Sequence, residues 1–133
     1  MNTLKSRILC VEDDLDSCEM LAFMLSSTED VHDVTGVHLA AEAKALITTK
    51  QFDLYVLDIW LPDTDGLDLC RWIRRRDANT PIVFFTGCAQ DADRRKAMYA
   101  GGDAFLIKPN DLEKLTLTVK GLLESRYVAA KFV

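Results

Sequence analysis

The stretch LYVLDIWLPDTDG, residues 54–66, begins with a continuous apolar run and turns abruptly polar at Asp58. An apolar run that does not alternate with polar residues is typical of a short strand buried on both faces. Such strands occur in parallel sheets that helices cover on both sides. The stretch therefore predicts a buried parallel strand with a carboxylate at its carboxyl end.

Four further short apolar runs repeat this pattern along the chain. They are rich in β-branched and aromatic residues, which is typical of strands, and segments with helical spacing separate them. The runs cover residues 7–11, 31–37, 82–85 and 104–107. Alternating strands and helices with right-handed crossovers predict an α/β fold. We expect a flavodoxin-like (βα)5 three-layer sandwich with the parallel sheet order 2-1-3-4-5.

The composition is that of an ordinary globular chain. Its 133 residues are 49% hydrophobic and carry a formal net charge of −5. We expect one domain over residues 1–133, with a core at about 7–124 and residues 125–133 as the end of the last helix or a tail. Nucleic-acid binders are usually basic, so direct nucleic-acid binding is not expected. The basic stretch formed by Arg71 and residues 74–76 is predicted to be a solvated helix end.

Two features of the sequence bear on location. No stretch approaches the ~20 apolar residues of a membrane span, and the first residues lack a signal-peptide core. The cysteines, Cys10, Cys18, Cys70 and Cys88, form no C-x-x-C pair, and each lies in or beside an apolar run. Both features predict a cytoplasmic protein whose thiols are buried and reduced.

The fourth helical segment, residues 91–100, has the weakest apolar face. That face consists of Ala97 and Ala100, with Met98 at its border and basic residues between. A narrow face of small side chains buries little apolar surface. We therefore expect this helix to be loosely held.

Polar residues follow four of the five strands at the edge where ligands bind in open α/β sheets. Clustered carboxylates repel each other unless a cation lies among them, and Mg²⁺ prefers such oxygen ligands. An aspartate can act as a nucleophile towards phosphoryl groups, which a lysine and a hydroxyl can stabilise. The candidate residues are Glu12, Asp13, Asp14, Asp58, Thr86 and Lys108.

Four motifs together resemble the receiver domains of bacterial response regulators in two-component phosphorelay signalling. They are ILCVEDD at 8–14, DIWLPDTDG at 58–66, FFTG at 84–87 and AFLIKP at 104–109. The resemblance runs from about residue 7 to about residue 124. Each motif alone is weak, but four in the right order at the right strand ends are highly specific.

The resemblance implies a metal site and a phosphoacceptor. Asp58 would be the phosphoacceptor, and Glu12 and Asp13 would be the acidic pair at a Mg²⁺ site, which Mn²⁺ could also occupy. Asp13 would be the direct ligand of that pair. Asp58 and the backbone carbonyl of Trp60 would be further ligands.

The resemblance also implies a switch. Thr86 and Lys108 would contact the phosphoryl group. As Thr86 moves towards the phosphoryl group, it would leave room for Phe105 to turn inwards. The Lys108–Pro109 peptide bond would be cis. The surface formed by the fourth helix, fifth strand and fifth helix would then change for partner binding.

The implied partners are a histidine kinase or phosphotransfer protein as donor and a protein target downstream, with a homodimer also possible. The chain would not be an enzyme in the main sense, although it would slowly catalyse its own dephosphorylation. Two alternatives stay open. A receiver-like docking module need take no phosphate. A small phosphatase with an aspartate nucleophile would normally carry a second aspartate where Trp60 stands.

Several polar residues near the motifs have structural interpretations. Asp14 is either the N-cap of the first helix or a group at the metal. Asp63, Asp65 and Gly66 are interpreted as loop and helix-start residues. The two histidines, His32 and His38, are predicted to lie away from the site edge.

Overall fold

The computed structural model describes residues 5–26, 31–87 and 89–131. Five strands alternate with five helices in this part of the chain, as the sequence predicts. The strands are β1 (Lys5–Val11), β2 (Val31–Val37), β3 (Leu54–Leu57), β4 (Ile82–Thr86) and β5 (Ala104–Ile107). The helices are α1 (Leu15–Ser26), α2 (Ala40–Ile47), α3 (Gly66–Arg76), α4 (Asp91–Ala100) and α5 (Leu112–Lys131).

The five strands form one sheet in the order β2-β1-β3-β4-β5, and each neighbouring pair is parallel. The predicted flavodoxin-like (βα)5 sandwich is confirmed. Strands β3 and β4 are buried along their whole length, since all four residues of β3 and all five of β4 are buried. The carboxyl ends of all strands therefore meet at one edge, where β1 lies between β2 and β3.

Two apolar layers pack on the two faces of the sheet. One layer joins Leu9 and Leu57 of the sheet to α2, α3 and α4, where Leu69 and Ala97 are buried. The other joins alternate strand residues, such as Val56, to α1 and α5. Strand residues alternate between the layers because side chains of a strand point to opposite faces.

Helix α4 shows the narrow buried face that the sequence predicts. Ala97 and Ala100 are buried, whereas Met98 is 42% exposed and Tyr99 is 94% exposed. The helix ends at Gly101, which has a left-handed backbone conformation with φ of 119°. That conformation favours glycine because any side chain would be strained there.

Arg74 closes the carboxyl end of α4 from the neighbouring helix. Its guanidinium donates to the carbonyl of Gly101 at 2.9 Å, to that of Thr80 at 2.7 Å and to the carboxylate of Asp103 at 2.9 Å. The side chain of Arg74 is only 17% exposed. A fourth acceptor is the carbonyl of Asp77 at 3.2 Å. The prediction of a solvated helix end is therefore wrong for Arg74, because four carbonyl or carboxylate groups converge on it.

Two cysteines also depart from the sequence-based prediction. The structure joins Cys10 of β1 to Cys18 of α1 as a disulfide, with the two Cα atoms 5.9 Å apart. The prediction of reduced thiols is wrong for this pair, because the strand and the helix that follows it bring both side chains together. Cys70 is free and buried as predicted, and Cys88 lies outside the described residues. No helix in the described ranges is long and apolar enough to span a membrane.

We expect Arg74→Ala to lower the free energy of unfolding by about 2–3 kcal/mol, because several partly buried carbonyl groups would lose a charged donor. Arg71→Ala is the matched control, since Arg71 is 45% exposed and pairs with an exposed carboxylate of Asp68. Arg71→Ala should lower the free energy of unfolding by less than about 1 kcal/mol. Urea unfolding of both variants measures the difference. Equal losses would show that the Arg74 contacts do not hold α4.

Candidate functional site

Three carboxylates converge at the carboxyl edge of the sheet. Glu12 and Asp13 follow β1, and Asp58 follows β3, the neighbouring strand. One oxygen from each of the three lies within 4.8 Å of the others. Glu12 is 0% exposed and Asp58 is 3% exposed, whereas Asp13 is exposed. The sheet order therefore places two buried acids beside one that faces solvent.

Asp58 receives hydrogen bonds on both carboxylate oxygens. Its Oδ1 accepts from the hydroxyl of Thr86 at 2.7 Å and from the backbone N–H of Trp60 at 3.1 Å. Its Oδ2 accepts from the ammonium of Lys108 at 2.9 Å. Asp58 is thus fixed by residues at the ends of β4 and β5 as well as by its own loop.

Lys108 also bonds to Glu12, so one cation lies between two buried acids. Burial raises the pKa of Glu12 to about 8, although the Lys108 hydrogen bond acts in the opposite direction. Burial acts to lower the pKa of Lys108, but the hydrogen bonds to Glu12 and Asp58 outweigh it and raise that pKa. One cation thus leaves the buried acids incompletely balanced, and Glu12 holds its proton near neutral pH in the metal-free protein.

These residues fit a hard divalent cation. Glu12 Oε2 is buried and has no hydrogen-bond partner among the residues that the structure describes, and Glu12 belongs to the cluster of three carboxylates. A buried polar atom without a partner is costly, and a bound cation would satisfy it. Oxygen atoms from several carboxylates are the ligands that Mg²⁺ prefers.

Phe105 of β5 is 4% exposed and packs against Phe84, with ring centroids 6.4 Å apart. The guanidinium of Arg94, on α4, lies 5.1 Å from the centroid of the Phe105 ring. The aromatic ring therefore points inwards in this structure and contacts the helix that was predicted to be loosely held.

Gly66 brings the start of α3 against the backbone of Asp58. A Cβ atom at this position would lie 2.0 Å from the carbonyl oxygen of Asp58. The N–H of Gly66 donates to the carbonyl of Ile59 at 2.7 Å. Glycine is needed here for close backbone approach, in addition to the predicted helix start.

The neighbouring acids have structural roles. Asp14 accepts from the backbone N–H of Asp16 at 3.0 Å, which favours its interpretation as a cap of α1. Asp65 accepts from the backbone N–H of Leu67 at 2.7 Å and is the N-cap of α3, as predicted. Asp63 does more than line a loop, because its carboxylate accepts from two backbone N–H groups of α2.

The prediction that His38 lies away from the site is wrong. Its Nδ1 lies 3.1 Å from the backbone carbonyl oxygen of Asp13. His38 directly follows β2, so the strand-end argument applied to the other residues could have found it. His32, by contrast, lies beside Ser6 in the register of β1 and β2, near the opposite end of the strands. The Lys108–Pro109 peptide bond is cis, as the resemblance implies.

The comparisons with known proteins agree with this fold. Residues 8–120 match the response regulator receiver domain family, so the chain belongs to that family. It is 32% identical over 118 residues to the response regulator ArlR of Staphylococcus epidermidis, covering 89% of this chain and 52% of ArlR. It is 36% identical over 118 residues to the transcriptional regulatory protein GltR of Pseudomonas aeruginosa, covering 87% of this chain and 48% of GltR. The chain thus spans about half the length of these relatives.

Solved structures show the same fold. The receiver domain of a LuxO repressor-like protein from Vibrio parahaemolyticus superposes with a TM-score of 0.87 at 25% identity, covering 97% of this chain and 98% of that one. A CheY-like receiver domain protein from Methanospirillum hungatei gives a TM-score of 0.84 at 26% identity, covering 95% and 99%. The BeF3-activated DrrB receiver domain gives 0.80 at 27% identity, covering 91% and 99%.

We expect the free energy of unfolding, measured in EDTA, to fall as the pH rises from 5 to 8. Glu12 keeps its proton up to about pH 8 in the folded protein, against an ordinary value of 4.5 in the unfolded chain. The folded state therefore binds more protons in this window, and raising the pH favours unfolding, by on the order of 3 kcal/mol. Glu12→Gln should remove most of this slope in urea titrations.

Glu124→Gln is the control for this measurement, because it removes an exposed carboxylate and should keep the wild-type slope. A Glu12→Gln variant with the same pH dependence as the wild type would contradict the assignment of the slope to Glu12.

Proposed function

We propose that Asp58 accepts a phosphoryl group from a histidine kinase or a phosphotransfer protein in a Mg²⁺-dependent reaction. One observation carries this proposal: the buried Asp58 carboxylate lies between the Thr86 hydroxyl and the Lys108 ammonium, beside two further acids. Membership of the receiver family supports it. The family defines a phosphoacceptor in two-component signalling, and the contacts of Asp58 support its assignment to that role.

In the transfer, an oxygen of Asp58 forms a bond to phosphorus while the phosphorus–nitrogen bond of the donor phosphohistidine breaks. The imidazole nitrogen of the donor keeps the bonding electron pair. Lys108 and Thr86, which now bond to the carboxylate of Asp58, are positioned to bond to the oxygens of the phosphoryl group instead. Charge on those oxygens is what catalysis of phosphoryl transfer must stabilise.

Asp13, Asp58 and the backbone carbonyl of Trp60 would hold the metal, and Glu12 would complete the acidic set. Mg²⁺ supplies positive charge for the phosphoryl oxygens when it is bound, and Mn²⁺ could replace it. The exposed position of Asp13 suits a ligand that meets a hydrated ion from solvent. The buried position of Glu12 suits an acid that acts through charge.

The switch would couple Asp58 to the surface formed by α4, β5 and α5. Thr86 already donates to Asp58, and Phe105 is already turned inwards. This arrangement corresponds to the phosphorylated state expected from the sequence. Phosphorylation would then stabilise it over a state with Phe105 turned out, because the phosphoryl group adds acceptors for Thr86 and Lys108.

The downstream partner in this proposal is a protein that binds the switched surface, either a separate target or a second copy of the chain. ArlR and GltR, which are about twice as long as the matched region, are a response regulator and a transcriptional regulatory protein. The chain would also hydrolyse its own acyl phosphate slowly, which resets the switch without making it an enzyme in the main sense.

Intact mass spectrometry after incubation with acetyl phosphate and MgCl₂ tests the acceptor. The wild type should gain one phosphoryl mass, and Asp58→Ala should gain none. EDTA should abolish the gain in the wild type. Asp53→Ala, which removes a carboxylate at the opposite edge of the sheet near Arg7, should be phosphorylated like the wild type.

Two outcomes of that experiment would favour the alternatives. No adduct with acetyl phosphate left intact would favour a docking module. No adduct with rapid release of inorganic phosphate would favour a phosphatase, and a mass gain that Asp58→Ala retains would place the acceptor elsewhere.

We expect Thr86→Ala to uncouple phosphorylation from the switch. Beryllofluoride, which stands in for the phosphoryl group, should change the backbone amide shifts of residues 86–110 in the wild type. The variant should still bind it at Asp58 but show smaller changes across residues 91–107, since the hydroxyl that reaches Asp58 is absent. Thr116→Ala on α5 is the control. Equal changes in wild type and Thr86→Ala would contradict this role.

A further inference from the structure

The turn between β2 and α2 is hydrogen-bonded to two loops of the site. One loop follows β1 and carries Asp13, and the other follows β3 and carries Trp60. We propose that His38, Ala40, Ala41 and Asp63 form a bracket that sets the distance between these two loops and thereby the affinity for Mg²⁺. The proposal rests on the proposed function, because it concerns the metal site that function requires.

Asp63 holds one side of the bracket. Its two carboxylate oxygens accept from the backbone N–H groups of Ala40 at 2.9 Å and of Ala41 at 3.0 Å. These bonds lower the pKa of Asp63, although slight burial acts in the opposite direction. The carboxylate also complements the positive end of the α2 dipole. Asp63 therefore ties the loop that carries Trp60, three residues earlier, to the first turn of α2.

The sequence of α2 explains why this cap comes from another loop. The N-cap residue is Leu39, whose side chain has no hydrogen-bond acceptor and makes no cap bond. Glu42 accepts from the backbone N–H of Leu39 at 3.2 Å. The next two N–H groups of the helix start still need acceptors, and Asp63 provides both.

His38 holds the other side. Its Nδ1 lies 3.1 Å from the backbone carbonyl oxygen of Asp13, and because a carbonyl only accepts, this nitrogen carries the hydrogen. The preceding residue, Val37, accepts from the N–H of Glu12 at 2.9 Å. The loop of Asp13 is thus bonded to residues 37 and 38, directly before the turn that Asp63 caps.

The bracket connects two proposed ligands that lie on different loops. Asp13 would contribute its side chain, which is exposed. Trp60 would contribute its backbone carbonyl, and Trp60 itself is 53% exposed. Such groups are poorly fixed by packing alone, so hydrogen bonds must set their positions. Removing residues that orient metal ligands typically weakens metal binding by 10–100-fold.

A Mg²⁺ titration followed by backbone amide shifts tests the bracket on the whole chain. With MgCl₂ as the probe, Asp63→Ala and His38→Ala should each raise the Mg²⁺ Kd by roughly 10-fold. Two conservative variants should restore part of the affinity. Asp63→Asn keeps one acceptor oxygen, and His38→Asn places an N–H near the position of Nδ1. Urea unfolding in EDTA reports the stability of each variant.

Asp77→Ala is the matched control. Its carboxylate accepts from the N–H groups of Asn79 and Thr80 at 2.9 and 3.1 Å, which is also a pair of backbone bonds, but at the opposite edge of the sheet. It should lose stability and keep the wild-type Mg²⁺ affinity. That contrast separates positioning of the ligands from general destabilisation.

Two results would overturn the inference. If the wild type binds Mg²⁺ and both alanine variants bind it equally well, the bracket has no role in metal binding, although the proposed function stands. If the wild type shows no Mg²⁺-dependent shifts, the proposed function fails and the inference fails with it. Should Asp63→Ala not fold, Asp63→Asn and His38→Ala carry the test.

Discussion

The pairing of one lysine with two buried acids is the constraint on which the site depends. Lys108 bonds to Glu12 and Asp58, whose side chains are 0% and 5% exposed. Burying an unpaired charge is strongly unfavourable, so the ends of β1, β3 and β5 must meet for these acids to be tolerated. The sheet order places β1 and β3 side by side, and the long side chain of Lys108 reaches both acids from β5, past the end of β4. Lys108 cannot balance both acids, and burial raises the pKa of Glu12, so the site would gain from a second cation beside these acids.

The sequence predicts the sheet and its chemical edge well for a simple physical reason. Continuous apolar runs identify buried parallel strands, and in such a sheet the residue after each run belongs to the same edge. This argument identifies Glu12, Asp58, Thr86 and Lys108, and the structure brings them together. The roles of these residues in phosphoryl transfer come from the resemblance and stay predictions.

Contacts between segments that are distant in sequence could not be predicted in the same way. Arg74 resembles a solvated arginine at a helix end until the loops around Thr80 and Asp103 surround it. Asp63 resembles a loop residue, since nothing nearby in sequence shows that the N-cap position of α2 holds a leucine, which cannot cap the helix. The contact of Cys10 with Cys18 likewise depends on how α1 packs over β1. His38 is different, because its position directly after β2 indicates the site edge, and the prediction that it lies elsewhere overlooked this.

The Arg74 contacts have a mechanical consequence for α4. They fix Gly101 and the residues after it, whereas the other end of the helix is closed by a bond between its own residues, from the N–H of Gln90 to Asp93. The 10 residues of α4 extend about 15 Å at 1.5 Å per residue. The helix therefore resembles a lever with its fulcrum at Gly101. A tilt of about 10° would displace the end near Thr86 by roughly 2–3 Å and leave the fulcrum in place.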